Sequence, residues 1–238
     1  MSASSEYTLY YWQFNAGGRG EYVRLMFEET GTPFREVNDA ATIAAISQAK
    51  AEPGKAKEVG SFPMWAVPAL KHGDFFLSGT GTICRYLGKK FGLWPKTEED
   101  EWHAEQVNCV IHDFLAEGRL VFHARGFVES YYTQKEETQG HIDWFKKERL
   151  PSWLSHLEAV LAHNNGGKGF VIGDNLTYVD LALLQVLRAS ESQFPDEWNA
   201  NQNIPLLKAF KERISARPRL AAYFKSDRCL PFEGNSMM

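Results

Sequence analysis

The sequence predicts two joined units, a small α/β unit over residues 1–90 and an all-helical unit over residues 91–238. Three observations carry this reading. Before residue 90, β-prone runs and helical periodicity alternate in the order β-α-β-α-β-β-α. After a polar stretch from Lys89 to Asp100, apolar residues recur at helical intervals only. Deep in the second unit, Leu176-Thr177-Tyr178-Val179-Asp180 is a helix start: Thr177 can cap, Asp180 stands three residues on, and Leu176 can staple to Leu181.

Taken in order, Tyr7 to Trp12 is aromatic and β-prone and reads as the first strand. Strand alternation puts Tyr7, Leu9 and Tyr11 on one side and Thr8, Tyr10 and Trp12 on the other. Gln13 to Gly20 is a glycine-rich loop. Glu21 to Thr30 reads as a helix with Val23, Met26, Phe27 and Thr30 on one face, closed by Gly31. Phe34 to Val37 is a candidate strand. Ala40 to Ala51 has helical composition up to the break at Pro53-Gly54. Trp65 to Gly92 then supplies a hairpin turning at His72-Gly73-Asp74 and a helix begun at Ser78-Gly79-Thr80. Together these elements give a thioredoxin-like order. In the second unit, Glu98 to Tyr132 holds one long helix or two, broken near Gly118 or Gly126. Gln139 to His163 reads as one helix with Pro151 as a kink or boundary. Further helices cover Tyr178 to Ser190, Ile204 to Arg213 and Pro218 to Lys225.

Bulk properties narrow the function. A formal charge of −4 gives no basic footprint for nucleic acid or an anionic membrane surface. No apolar run is long enough to span a bilayer. The first residues, MSASSEYTLYYW, lack a secretory leader's pattern, so the expectation is a cytoplasmic protein. Three widely spaced cysteines, Cys84, Cys109 and Cys229, fit reduced thiols better than disulfides or a zinc site. The glycines at 17, 18 and 20 match neither a dinucleotide fingerprint nor a P-loop.

Pro68 is out of place in an apolar run, because proline removes a ladder donor. A cis Val67–Pro68 bond would turn the Val67 backbone toward an extended partner, and the next helix aims its first N–H groups at the same spot, where carboxylates bind. An edge-strand proline before an ordinary capped helix is the competing reading.

Val67-Pro68-Ala69-Leu70, the hairpin, and the helix ending Ile83-Cys84-Arg85-Tyr86-Leu87-Gly88 resemble the glutathione-binding half of a cytosolic glutathione S-transferase. The resemblance runs from Tyr7 to about Asn235 and is closest to the tyrosine-type classes (pi, sigma, mu), pi above all. It implies a thioredoxin-like domain followed by an all-helical domain that carries the electrophile pocket. It also implies a cytosolic homodimer that joins glutathione to small hydrophobic electrophiles, with no cofactor beyond that co-substrate and no metal. Tyr7-Thr8-Leu9-Tyr10-Tyr11-Trp12 resembles the class motif whose last tyrosine is catalytic, which falls on Tyr11. A thiol with a pKa near 8.5 is about a few per cent ionised at neutral pH, so a hydroxyl donor aimed at sulfur favours the attacking thiolate.

The resemblance gives glutathione binding to Tyr11, Arg19, Lys57, Val67, Pro68, Gly79 and Thr80, and pocket lining to Phe14 and Phe122. There are departures. Two extra residues separate Tyr11 from Arg19, and the family's Gln/Glu-Ser pair falls on Gly79-Thr80. The acid that many classes contribute from the partner subunit falls on His112, with Asp113 beside it. Gly79 and the enlarged loop favour a non-catalytic carrier or interaction module. A glutathione-dependent isomerase such as a prostaglandin synthase would share the same residues. A cysteine-based redox site lacks its cysteine after the first strand.

Overall fold

In the computed structural model of the chain, residues 6–12, 17–49, 62–126 and 129–232 are described. The loop position Phe14 and the candidate Lys57, with the Pro53-Gly54 break, lie outside the described residues.

Four strands form one sheet in the order β2-β1-β3-β4. Strand β1 (Tyr7–Tyr10) runs parallel to β2 (Phe34–Val37), pairing Tyr7 with Phe34 and Tyr10 with Val37. It runs antiparallel to β3 (Ala69–His72), pairing Tyr7 with His72 and Tyr10 with Ala69. Strand β4 (Phe75–Ser78) folds back on β3 through the Gly73-Asp74 turn, where Gly73 takes φ +58°. The strand is shorter than its aromatic run, because Tyr11 leaves the ladder after one last bond from its N–H to Val37 O at 3.1 Å.

Alternation along β1 divides the packing. Tyr7 and Leu9 enter the main core with α1 (Gly20–Thr30) and α3 (Thr80–Phe91). Tyr10 leans on a smaller cluster of Ile43, Ile46, Met64 and Ala69, under α2 (Ala40–Ala49). Met64 is thus turned inward, while its neighbours Phe62 and Trp65 stand out at 75% and 77% exposure. The sequence expects all three apolar side chains of that loop to be presented together. Met64 is the exception, because Ile43 and Ile46 give it an apolar seat.

Helix α4 (Glu98–Leu120) begins at Thr97, whose side chain accepts from the Asp100 N–H at 3.1 Å. The connection before it is therefore 92–97, shorter than the expected polar linker, because α3 keeps its periodicity up to Phe91 before Gly92 turns left-handed. The second expected helix divides: α5 (Lys135–Trp144), one π-turn (Phe145–Arg149), then α6 (Leu150–His163), with Pro151 directly after the π-turn. Helices α7 (Tyr178–Gln193), α8 (Pro195–Ala200), α9 (Pro205–Ser215) and α10 (Pro218–Phe224) complete the chain. The short α8 has too few turns to show periodicity in the sequence.

The capping box forms at the start of α7. Asp180, fully buried, accepts from the N–H groups of Val171 and Thr177 at 2.7 Å each and from Thr177 Oγ1 at 2.9 Å. Removing such a cap costs about 0.5–2 kcal/mol on an exposed helix. Here the same carboxylate also ties down the preceding turn. One continuous core runs from Tyr7 and Phe27 through Ile83 and Phe114 to Leu184, Phe210 and Tyr223. Ion pairs cross it: Arg217 Nη2 reaches Glu29 Oε1 of α1 at 2.6 Å.

Candidate functional site

The first turn of α1 is wrapped around Tyr11. Its ring is 3% exposed, and its Oη accepts the backbone N–H of Arg19 at 2.8 Å. Two glycines make this approach possible. A Cβ on Gly18, which takes φ +58°, would stand 2.6 Å from Tyr11 Oη, and one on Gly20 would stand 2.7 Å from Cδ1. The pattern Gly17-Gly18-Arg19-Gly20 thus records a close backbone approach.

Burial pushes the Tyr11 hydroxyl up from its ordinary pKa, against the Arg19 N–H and the positive charges of Arg19, Arg24 and Arg119. The group keeps its proton at neutral pH, and the N–H it accepts polarises the O–H and strengthens it as a donor. Arg24 closes the loop from below. Its Nη1 donates to Gly17 O at 2.8 Å and to Glu21 Oε2 at 3.2 Å, and its Nε to Glu36 Oε2 at 3.0 Å. Burial alone would lower its pKa, but the bonds and charge of Glu36 hold it above the usual value. Glu21 in turn accepts from Tyr223 Oη at 3.0 Å, linking the loop to α10. Arg19 and Arg24 keep the spacing of the arginines that the family resemblance places on this first helix. The roles of Glu21 and Glu36 have no such sign, since nothing in sequence separates a partnered acid from a surface one.

The second side of the site is the hairpin and the start of α3. The Val67–Pro68 bond is cis, as the sequence predicts. Gly79 N–H reaches back to Pro68 O at 3.3 Å and sets the turn. Gly79 itself takes φ +93°, a left-handed value that favours glycine. Thr80 opens the helix, 5% exposed, among first-turn N–H groups suited to an anion.

Two positions differ from expectation. Phe122, expected to line a pocket, is 3% exposed and packs between Tyr131 and Phe194, at ring separations of 5.4 and 6.0 Å. It follows the end of α4, where the chain turns into the aromatic core. His112 stays on the inner side of α4 while Asp113 is exposed, so of the two it is Asp113 that faces outward.

Cavity volume does not mark this site. A cavity of about 590 Å³ lies between α4 and α6 beside His103, His156 and His163, away from Tyr11. A second of about 360 Å³ includes Trp12, Arg24 and Glu36. At Tyr11 a buried hydroxyl, the start of α1 and the positive charges of Arg19, Arg24 and Arg119 converge. Among the described residues no helix is long and apolar enough to cross a membrane.

Comparison with known proteins agrees with this geometry. Residues 122–227 match the family model described as "Glutathione S-transferase, C-terminal domain". The chain is 31% identical over 232 residues to glutathione S-transferase P 1 of Bufo bufo, covering 97% of this chain and 98% of that one. It is 31% identical over 219 residues to a glutathione S-transferase of Plasmodium falciparum, covering 90% and 93%. It is 30% identical over 231 residues to the human glutathione S-transferase P, covering 96% and 97%. Among solved structures, the pi-class glutathione S-transferase of Onchocerca volvulus superposes with a TM-score of 0.73 at 24% identity, over 97% of this chain and all of that one. That last likeness speaks for the fold.

Proposed function

The chain belongs to the glutathione S-transferases, and from that premise we propose how its own residues join glutathione to an electrophile. The enzyme conjugates glutathione by making its thiolate, the thiol proton passing to solvent water. Tyr11 donates its hydroxyl proton as a hydrogen bond to the sulfur, which stabilises the anion without transferring the proton to it. Bringing the bound thiol down by about two pKa units takes roughly 2.7 kcal/mol and leaves most of it ionised at neutral pH. The sulfur lone pair then attacks the electrophilic carbon. In a substitution the bond to the leaving group breaks; in an addition the charge moves onto the electrophile and is quenched by a proton from water.

Arg19 and the first turn of α3 hold the peptide. The guanidinium draws the glutathione carboxylates, Thr80 offers its hydroxyl and the helix start, and the Val67 backbone pairs with the extended peptide at the cis Pro68 turn. Gly79 contributes backbone only. Asp113 reaches toward the partner of a homodimer, in which exposed Phe62 and Trp65 are the docking side chains. The electrophile is small and hydrophobic, the protein works in the cytoplasm as two domains joined after residue 90, and no cofactor besides glutathione is needed.

One observation carries this reading: the buried Tyr11 hydroxyl held at 2.8 Å by the Arg19 N–H. Retention on immobilised glutathione, followed by turnover of an aromatic halide, tests it. A protein that passes through the resin and leaves the halide unreacted refutes it.

A further inference from the structure

Helix α4 sends one side chain into the angle between the two elements that frame the site. His112 stands against Gly81 in the first turn of α3. A Cβ built on Gly81 would lie 2.7 Å from His112 Cδ2, 2.9 Å from His112 Nε2 and 3.1 Å from Asn108 Nδ2. Only glycine admits the ring at this distance. On its other side the ring lies 5.6 Å, centroid to centroid, from Tyr22, one turn along α1 from Arg19.

Three polar atoms on the side chains of this wedge have no hydrogen-bond partner among the described residues: Tyr22 Oη, Asn108 Oδ1 and His112 Nε2, all shielded. Buried polar atoms are ordinarily bonded, so packing is what holds the ring. The surroundings keep it neutral. Burial, then the Arg19 guanidinium, bring the His112 pKa down to about 4. A cation here would face Arg19 and the positive end of α3 at once. The family acid that aligns with this position is a charged group facing the partner. A neutral ring packed inward is a different use of it.

We propose that His112 is a positioning residue for glutathione, its ring the spacer that sets Arg19 and the first turn of α3 at the separation where both engage one peptide. The inference rests on the reading that these two elements hold glutathione. Truncating the ring frees the first turn of α3 to shift toward Tyr22, beyond the Cys84 Sγ to Tyr22 O contact at 3.5 Å that already joins the two helices, and misplaces the peptide's anchors. It is α3 that shifts; α1, and with it the Arg19 N–H bond to Tyr11, stays in place, so the sulfur is held as before. Gly81→Ala has the same effect from the other side, by driving the first turn off the ring.

The test measures glutathione Kd by calorimetry, and kcat and KM with an aromatic halide, for the wild type, His112→Ala, His112→Phe, Gly81→Ala and the Gly81→Ala/His112→Ala double variant. His112→Ala is expected to raise Kd and KM for glutathione about tenfold, with kcat within about twofold. His112→Phe restores the ring and the affinity. Gly81→Ala costs about tenfold in the native background and little once the ring is gone. A role in folding alone lowers yield and kcat together, without that coupling. An unchanged Kd in His112→Ala, or additive effects of the two alanines, overturns the proposal. If His112→Ala does not fold, Gly81→Ala and His112→Phe decide it: a Gly81→Ala protein of native affinity refutes the wedge. A wild type with no affinity for glutathione refutes the reading of the site itself, and this inference with it.

Discussion

Gly18→Ala isolates the packing that holds the Tyr11 hydroxyl in place. Gly18 takes φ +58°, and an alanine Cβ there would stand 2.6 Å from Tyr11 Oη, 2.8 Å from Cε1 and 3.1 Å from Cζ. The left-handed backbone costs an L-residue about 1–2 kcal/mol. Overpacking adds about 1–3 kcal/mol, for a total of roughly 2–5 kcal/mol if ring and loop both try to stay. Neither can stay, since real side chains do not sit 2.6 Å apart. Whether the ring swings away or the loop lifts, the bond from Arg19 N–H is lost and the donor is misaimed. Loss of one such donor lowers turnover by about 10²–10³-fold. Gly73→Ala is the control. It takes the same φ of +58° with nothing within 4 Å of the new Cβ, so it carries the backbone strain alone. Thermal denaturation and steady-state turnover should therefore separate the two. Gly73→Ala loses about 2–8 °C in midpoint and keeps its turnover, whereas Gly18→Ala loses both. A Gly18→Ala enzyme with native turnover would refute the argument that this contact aims the hydroxyl.

Two further outcomes follow from the buried polar groups. Asp180→Ala strands the N–H groups of Val171 and Thr177 and should cost about 3–5 kcal/mol, read as a lower urea midpoint, while the folded fraction keeps its KM for glutathione. A midpoint within experimental error of wild type contradicts the bonding assigned to Asp180. The second outcome concerns acid stability. His112 falls to about 4 in the fold from 6.5, so its neutral form contributes stability fully above 6.5, lost as pH drops through 6.5 toward 4. Burial pushes Asp180 the other way, up to about 6, so its contribution opposes this one over much of the same range. The difference between wild type and His112→Asn removes that offset. The variant should lose less stability across this window, by up to about 3 kcal/mol, and parallel pH profiles for the two proteins refute the shift.

How far the sequence reaches is clear from particular residues. The cis bond at Pro68, the hairpin turn at Gly73-Asp74, the left-handed Gly92 and the capping box at Thr177 each rest on chemistry within a few residues, and all are present in the fold. The sequence also shows that Tyr11 follows the first strand. What it does not show is long-range. Glu21 meets Tyr223 across 202 positions, and Arg24 on helix α1 meets Glu36 on strand β2. Met64 turned inward because α2 offers it a pocket, and Phe122 turned inward because an aromatic cluster waits beyond α4. The π-turn between α5 and α6 likewise has no local sign, since its residues keep helical periodicity on both sides. Gly81 is the instructive case. In sequence it is a helix glycine with no reason to be there, and only the approach of His112 from another helix supplies one.

The most direct test of the account is the pKa of glutathione's thiol when bound, read from thiolate absorbance against pH. The account predicts that in the wild type the bound thiol ionises well below its free value of about 8.5. In Tyr11→Phe it should return toward that value, with turnover reduced by about 10²–10³-fold and glutathione binding little changed. Tyr7→Phe and Tyr10→Phe, whose rings pack into the two cores, should leave the value where it is. A Tyr11→Phe enzyme that keeps both the native bound-thiol pKa and native turnover would contradict the account.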